Sequence, residues 1–287
     1  MQDTTSMLLP TNQFGFVYRR LLGNLLDTDY AIVELNARTN TRIAVLPGAQ
    51  SFQLDLSNNL LPLNGLRKTF PRTAAVEVAW FLRGSRDVTW LEDRGVKIWS
   101  PFAVDGTVTS AYGYRWRSAF GRDQIAAAIH TLQKDPSSRQ VYITAWSGQV
   151  DGLGNTAKNI PCPVGFTLSI LNGQLHSTLL MRSSDVFVGL PYDVMGHAML
   201  LSVLAGWIDS ELTLGTMTVT FAHAHLYEDH WDMASKCISS LSVIKTKIPL
   251  LQIKEDRPDW DFWIAEYAQA GKNEPWPEYN PKPRLVE

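Results

Sequence analysis

Cys162 stands between two prolines, in Pro161-Cys162-Pro163. A free cysteine is commonly no more than a small buried hydrophobe. Here, however, the two imino acids hold the thiol rigidly where it can face a cleft. Nucleophilic work would need a nearby cation to favour the thiolate, and Arg182 is the candidate source. Arg182-Ser183-Ser184-Asp185 gathers a guanidinium and two hydroxyls, groups suited to a phosphate and equally to a solvated turn with an ion pair. Glu77 lies among Val76, Val78, Ala79 and Trp80. It reads either as the partner of a buried arginine or as a desolvated carboxylate able to move protons. His223, His225 and His230 cluster with Asp229 in a spacing that matches no strong zinc pattern. Alternation puts His223 and His225 on one strand face.

The elements that must position these groups follow from periodicity and punctuation. Thr73 to Arg83 reads as a helix, with Thr73 as its cap and Gly84 as a left-handed terminator. Asp123 to Gln133 sets Ile125, Ile129 and Leu132 on one face, and Asp135-Pro136 ends it. Val141, Ile143 and Ala145 alternate as in a strand. Phe166 to Arg182 holds two apolar runs around Asn172-Gly173, a pair that tolerates positive φ and so predicts a tight hairpin. His197 to Ile208 reads as a nearly all-apolar central helix, Thr216 to His223 as a strand, and Glu228 to Cys237 as helical. Helices and strands are mixed along the chain, which implies an α/β or α+β layered fold. No repeat or long linker divides residues 1–287, so a single domain is expected.

Composition narrows the function. The chain has 287 residues, 45% of them hydrophobic, with ten Trp, nine Tyr and eleven Phe, which is enough buriable surface to exclude disorder as the main state. Its 26 basic and 28 acidic residues give a net charge of −2, which argues against general nucleic-acid binding and against an acidic membrane surface. Two cysteines cannot form a secreted disulfide scaffold. The first residues show no signal peptide, and the longest apolar run, near Ala198 to Ile208, is about half a membrane span. A cytoplasmic, soluble protein is the expectation.

With these residues in order, the chain resembles the thymidylate synthases. Pro161 to Leu201, with Arg182-Ser183-Ser184-Asp185-Val186-Phe187-Val188-Gly189-Leu190-Pro191-Tyr192, is similar to the family's signature stretch. Arg38-Thr39, Glu77 with Trp80-Phe81-Leu82, Ile98-Trp99, Tyr112-Gly113, Trp116-Arg117, Asp135 to Arg139, Ala145-Trp146 and His225-Leu226-Tyr227 follow in the family's order. The likeness covers roughly residues 15–285. It implies a thymidylate-synthase-like fold, a large twisted mixed β-sheet covered by helices, with the sheet at the interface of a homodimer. It also implies transfer of a one-carbon unit from 5,10-methylenetetrahydrofolate to C5 of a pyrimidine nucleoside monophosphate, without a metal. By position, Cys162 would attack C6 of the base, Glu77 would organise water and move protons, and Tyr112 would lie near C5. Arg38, Arg182 and Ser183 would hold the phosphate, with Arg139 contributed by the other subunit. His225 and Tyr227 would bind the sugar hydroxyl; Trp99, Asp185, Gly189 and Glu77 would face the folate.

The chemistry suits these residue types. A pyrimidine C5 is a weak nucleophile, and thiolate addition at C6 turns it into an enamine equivalent, splitting one hard step into two. Guanidinium groups on the phosphate anchor the base while the bond forms.

Departures from the family pattern define the expected substrate. Asp193 in Pro191-Tyr192-Asp193-Val194 stands where thymidylate synthases carry Asn. An ionised carboxylate only accepts hydrogen bonds, so it matches the amino group and protonated N3 of a cytosine adduct and opposes uracil O4. The same change marks deoxycytidylate hydroxymethylases. Met181 in place of the usual Gln resembles that branch too, and Pro163 replaces a His that serves the water network around O4. Gln140 replaces a second Arg beside Arg139, and Ser183 is retained, which leans toward a 2′-deoxy sugar. Tyr279 to Pro283 resembles the family's penultimate motif, and the charged end, Arg284 to Glu287, is expected to admit water that would trap the methylene intermediate. The leading expectation is a deoxycytidylate 5-hydroxymethyltransferase. Its rivals are a reductive dCMP 5-methyltransferase, a thymidylate synthase acting on dUMP, and a catalytically silent nucleotide- or RNA-binding relative.

Overall fold

The computed structural model describes residues 8–10, 14–154, 159–239, 247–255, 258–277 and 279–284. Leu285, Val286 and Glu287 of the charged end lie outside the described residues, as do most of those on which the absence of a signal peptide was read. The strands are β1 (Leu8–Pro10), β2 (Ile32–Asn36), β3 (Thr41–Leu46), β4 (Gln50–Asp55), β5 (Tyr142–Thr144), β6 (Pro163–Leu171), β7 (Gln174–Met181), β8 (Ser184–Asp185), β9 (Thr213–Phe221) and β10 (Ala224–Tyr227). The helices are α1 (Phe14–Leu26), α2 (Pro71–Leu82), α3 (Thr89–Glu92), α4 (Tyr112–Tyr114), α5 (Gln124–Lys134), α6 (Leu190–Ile208), α7 (Trp231–Ser239) and α8 (Trp260–Asn273). A π-helical turn, Arg115–Ala119, continues α4.

The strands form two mixed sheets, one ordered β1-β4-β9-β7-β6-β5 and the other β2-β3-β10-β8. In the larger sheet β9 runs parallel to β7 and antiparallel to β4. Its inner face is apolar, with Phe52, Leu54, Phe166, Leu168, Leu179, Met181, Met217, Val219 and Phe221 all buried. The alternate positions carry Thr167, Ser169, Thr178, Thr218 and Thr220, half-buried, so the period-2 pattern separates two unlike faces. Helix α6 packs on the inner side against α2, α5, β7 and β9. It is buried all round, which explains its apolar sequence.

The hairpin forms as the Asn-Gly pair predicts: Asn172 and Gly173 have φ of 51° and 71°, the conformation whose twist suits two-residue hairpins. The β6–β7 register shifts between Pro163 and Gly165. A Cβ on Gly165 would sit 2.5 Å from the Ile143 carbonyl oxygen, so this bulge requires glycine. It lies next to Cys162 and bends the strand there.

Several boundaries differ from the sequence reading. Helix α2 starts at Pro71, with Phe70 extended before it and no side-chain cap, so Thr73 lies in the first turn rather than at the cap. Proline lacks the amide hydrogen a first turn leaves unused, and its fixed φ starts the helix earlier. Gly84 does end that helix with φ 66°. Asp123 caps α5 by accepting from the Ala126 amide at 3.0 Å. Helix α6 begins at Leu190 rather than His197, because Pro191 and Asp193 occupy its first turn. His223 falls in the short link between β9 and β10 instead of on a strand, yet its ring lies 5.4 Å from that of His225.

Candidate active site

The thiol is placed by the bulge and by Arg182. The Arg182 amide donates to the Cys162 carbonyl at 2.9 Å, tying the start of β6 to the end of β7. Its guanidinium donates to the carbonyls of Pro161 and Ile160, each at 2.9 Å, and its Nη2 lies 3.6 Å from Cys162 Sγ. Of the two readings of the Arg182 to Asp185 turn, the ion pair does not form among the described residues; Nε and Nη2 of Arg182 donate to backbone oxygens instead. Burial pushes the Cys162 thiol up, and Arg182 followed by Arg38 pull it down without overcoming that effect. Desolvation is the larger influence on the thiol, and the Arg182 guanidinium beside it is the cation that works against that effect.

Around the thiol the smaller sheet supplies polar groups. Arg38 lies in the turn between β2 and β3, where Asn36 Oδ1 accepts from the Arg38 amide at 3.0 Å, and its Nη2 donates to the Tyr227 hydroxyl at 3.2 Å. Ser183 Oγ lies 3.4 Å from His225 Nδ1, and the His225 and Tyr227 rings meet edge-on at 5.1 Å. The β3–β10–β8 pairing brings these groups together, since His225 lies beside both Val45 and Asp185. Arg38, Arg182, Ser183 and Tyr227 thus form a wall of two guanidiniums and two hydroxyls, chemistry suited to a phosphate and a sugar. Arg139 is not brought there by its own chain. It is exposed in the loop between α5 and β5, with Gln140 exposed beside it.

On the other side lies an aromatic and acidic wall. Trp99 Nε1 donates to Glu77 Oε1 at 2.7 Å, so the partner of Glu77 is an indole and not a buried arginine. Burial pushes Glu77 up to about 7, the Trp99 bond opposing. Trp99 meets Tyr112 edge-on at 5.1 Å and Trp80 at 5.4 Å. Tyr112 hydrogen-bonds the backbone of Cys162; burial first, then the charges of Cys162, Asp193 and Glu77, raise its phenol well above the usual range. Asp193, in the first turn of α6, is pushed up to about 8 by burial, then by Glu77 and Asp185. Asp185 Oδ1 accepts from the amides of Phe187 and Val188 at 3.0 and 3.1 Å. Its Oδ2 is buried with no partner among the described residues. Gly189 is close by: a Cβ there would approach the Asp185 carbonyl at 3.2 Å and Asp193 Oδ2 at 3.7 Å.

Two arrangements escaped the sequence reading. Arg67, buried, donates to the Tyr18 hydroxyl at 3.1 Å and to the Phe187 carbonyl, while Tyr18 donates to that same carbonyl at 2.8 Å. This latch fixes the loop that carries Asp185 and Gly189. His197 lies one turn beyond Asp193 on α6, with its Nε2 2.9 Å from Ser177 Oγ. Its spacing from Asp193 was the available signal.

The family model for thymidylate synthase matches residues 17–273, a span that contains every residue of this site. The chain belongs to the thymidylate synthase family. It is thus an enzyme of folate-dependent one-carbon transfer to C5 of a pyrimidine nucleotide, with methylenetetrahydrofolate as co-substrate. Among the described residues no helix is long and apolar enough to cross a membrane.

Proposed function

We propose that the enzyme is a deoxycytidylate 5-hydroxymethyltransferase. The observation that carries this reading is the buried carboxyl of Asp193, set among Glu77, Tyr112 and Asp185 and electrostatically coupled to Cys162. Its raised pKa refines the sequence argument. Below about pH 8 the carboxyl rests protonated in the free enzyme, so it can donate as well as accept, and ground-state binding alone discriminates little between the bases. Discrimination belongs to the addition step. Cys162 gives up its S–H proton to solvent beside Arg182, and the Sγ–C6 bond forms. The C5=C6 pair moves into a C4=C5 bond, and the C4=N3 pair moves onto N3, which takes the proton of Asp193. The carboxylate left behind accepts from N3–H and the 4-amino group. Uracil already carries a hydrogen on N3 and gathers the charge of addition on O4. Its adduct therefore takes no proton at N3 and offers no 4-amino donor to the carboxylate, which would oppose O4. A buried polar group left unpaired costs about 1–3 kcal/mol, roughly 5- to 150-fold.

Arg38, Arg182 and Ser183 hold the phosphate, and His225 with Tyr227 the sugar. Trp99, Glu77, Gly189 and Asp185 face the folate, and the unpartnered Asp185 Oδ2 fits a ligand that brings N–H donors to it. The folate supplies the carbon. Glu77 and Tyr112 serve the loss of the C5 proton. As tetrahydrofolate departs from the transferred carbon, water adds to that carbon to give the hydroxymethyl group, and the Cys162–C6 bond then breaks to free the product. The assembly is a cytoplasmic homodimer in which Arg139, exposed on its own chain, reaches the partner's phosphate. Mass spectrometry of products from dCMP, dUMP and CMP with the folate tests the reading. 5-Hydroxymethyl-dCMP is expected; a methylated product, or turnover of dUMP alone, would overturn it.

A further inference from the structure

Behind the reacting residues lies a chamber of about 50 Å³, lined by Glu77, Tyr112, Pro163, Asp193, Gly196 and His197 among others. That volume accommodates one or two waters, and the lining offers them the two to four polar partners a buried water requires. Asp193 and His197 are four residues apart on α6 and face the same space. His197 is buried, is fixed at 2.9 Å from Ser177 Oγ on β7, and meets the Phe166 ring edge-on at 5.1 Å. Its orientation is therefore set by contacts from β6 and β7.

We propose that His197, held by Ser177, is a positioning residue that anchors water in this chamber and thereby keeps Asp193 and Glu77 solvated and correctly turned during the reaction. The titratable groups lining the chamber are Glu77 from α2, Tyr112 from α4, and Tyr192 and Asp193 from α6. Burial pushes the imidazole down to about 3, so it serves as a neutral hydrogen-bonding group and adds no charge. A neutral imidazole orients water without fixing the proton on either carboxyl, which is what a transfer between Asp193 and the base requires.

This role rests on the Asp193 reading, and its test separates the two. His197→Leu, His197→Gln and Ser177→Ala are compared with wild type for kcat, nucleotide KM, the pH profile of kcat/KM and thermal stability, using whichever nucleotide the wild type turns over. The expected result for His197→Leu is a fall in kcat of about 10- to 100-fold with KM within about threefold. The pH profile should move alkaline, because a drier chamber favours the neutral carboxyls further. Ser177→Ala should move in the same direction, and His197→Gln should restore most of the rate. A wild-type profile in His197→Leu would overturn the proposal. So would a loss of rate that follows loss of stability equally in the Leu and Gln variants, with the pH profile unmoved. Preference for dUMP by the wild type would refute the base assignment and leave the His197 comparison intact.

Discussion

Asp193 and Glu77 carry pH information as well as chemistry. Both have native pKa values raised above those of the unfolded chain, to about 8 and about 7. The folded protein therefore binds protons that the unfolded protein has released, and this contribution to stability is complete at low pH and lost as pH rises through the native values. Asp193→Asn removes the titration, so its stability relative to wild type should increase between pH 5 and pH 8.5, as measured by denaturant midpoints at each pH. A constant difference would contradict the burial of that carboxyl. Cys162→Ser should abolish release of tritium from the C5 position while leaving nucleotide binding within a few-fold; exchange at the wild-type rate would remove the thiol from the mechanism. Much of this scale was readable in sequence. Cys162, Arg182, Glu77 and Asp193 stood in settings whose chemistry could be named. His197 stood in an apolar run that reads as core, with only its four-residue spacing from Asp193 to mark it, and Arg67 finds Tyr18 and Phe187 through contacts far apart in the chain, which no local pattern announces.

At the level of elements, the site depends on how closely α2 and α4 approach. A Cβ on Gly113 would lie 2.0 Å from the Phe81 carbonyl oxygen and 2.2 Å from its Cα. Gly113→Ala must therefore part the two helices and carry Tyr112 away from Cys162. The expected cost is about 1–3 kcal/mol of stability, with kcat reduced about tenfold or more; unchanged melting and turnover would show that the helices are not in register as described. The hairpin and the capped end of α5 were legible because Asn-Gly and Asp123 act locally. The start of α2 was misplaced by two residues because a threonine cap and a proline first turn compete, and the proline prevails. The π-helical turn after α4 had no sequence signal, since the turn depends on Trp116 and Arg115 packing inward: Arg115 pairs with Asp151 at 2.9 Å, both nearly inaccessible.

For the molecule as a whole, the two sheets divide the work: the smaller holds the polar wall of Arg38, Ser183, His225 and Tyr227, and the larger delivers Cys162 and Arg182. Layered α/β architecture followed from the mixed order of elements, whereas the division into two sheets depends on strand pairings such as β3 with β10 that lie far apart in sequence. The proposed homodimer makes a sharp statement about Arg139. Coexpressing Arg139→Ala with Cys162→Ser should form hybrid dimers in which one site has both an intact thiol and an intact cross-subunit arginine. About a quarter of wild-type activity should return if subunits mix at random. Activity equal to the mere sum of the two variants would place Arg139 outside the partner's site.

The central claim is that Asp193 selects cytosine during addition of the Cys162 thiol, and kcat/KM for dCMP and dUMP in wild type and in Asp193→Asn tests it most directly. Preference for dCMP in the wild type, shifting toward dUMP by about 5- to 150-fold in the variant, is the expected result. The same nucleotide preference in both proteins would contradict it.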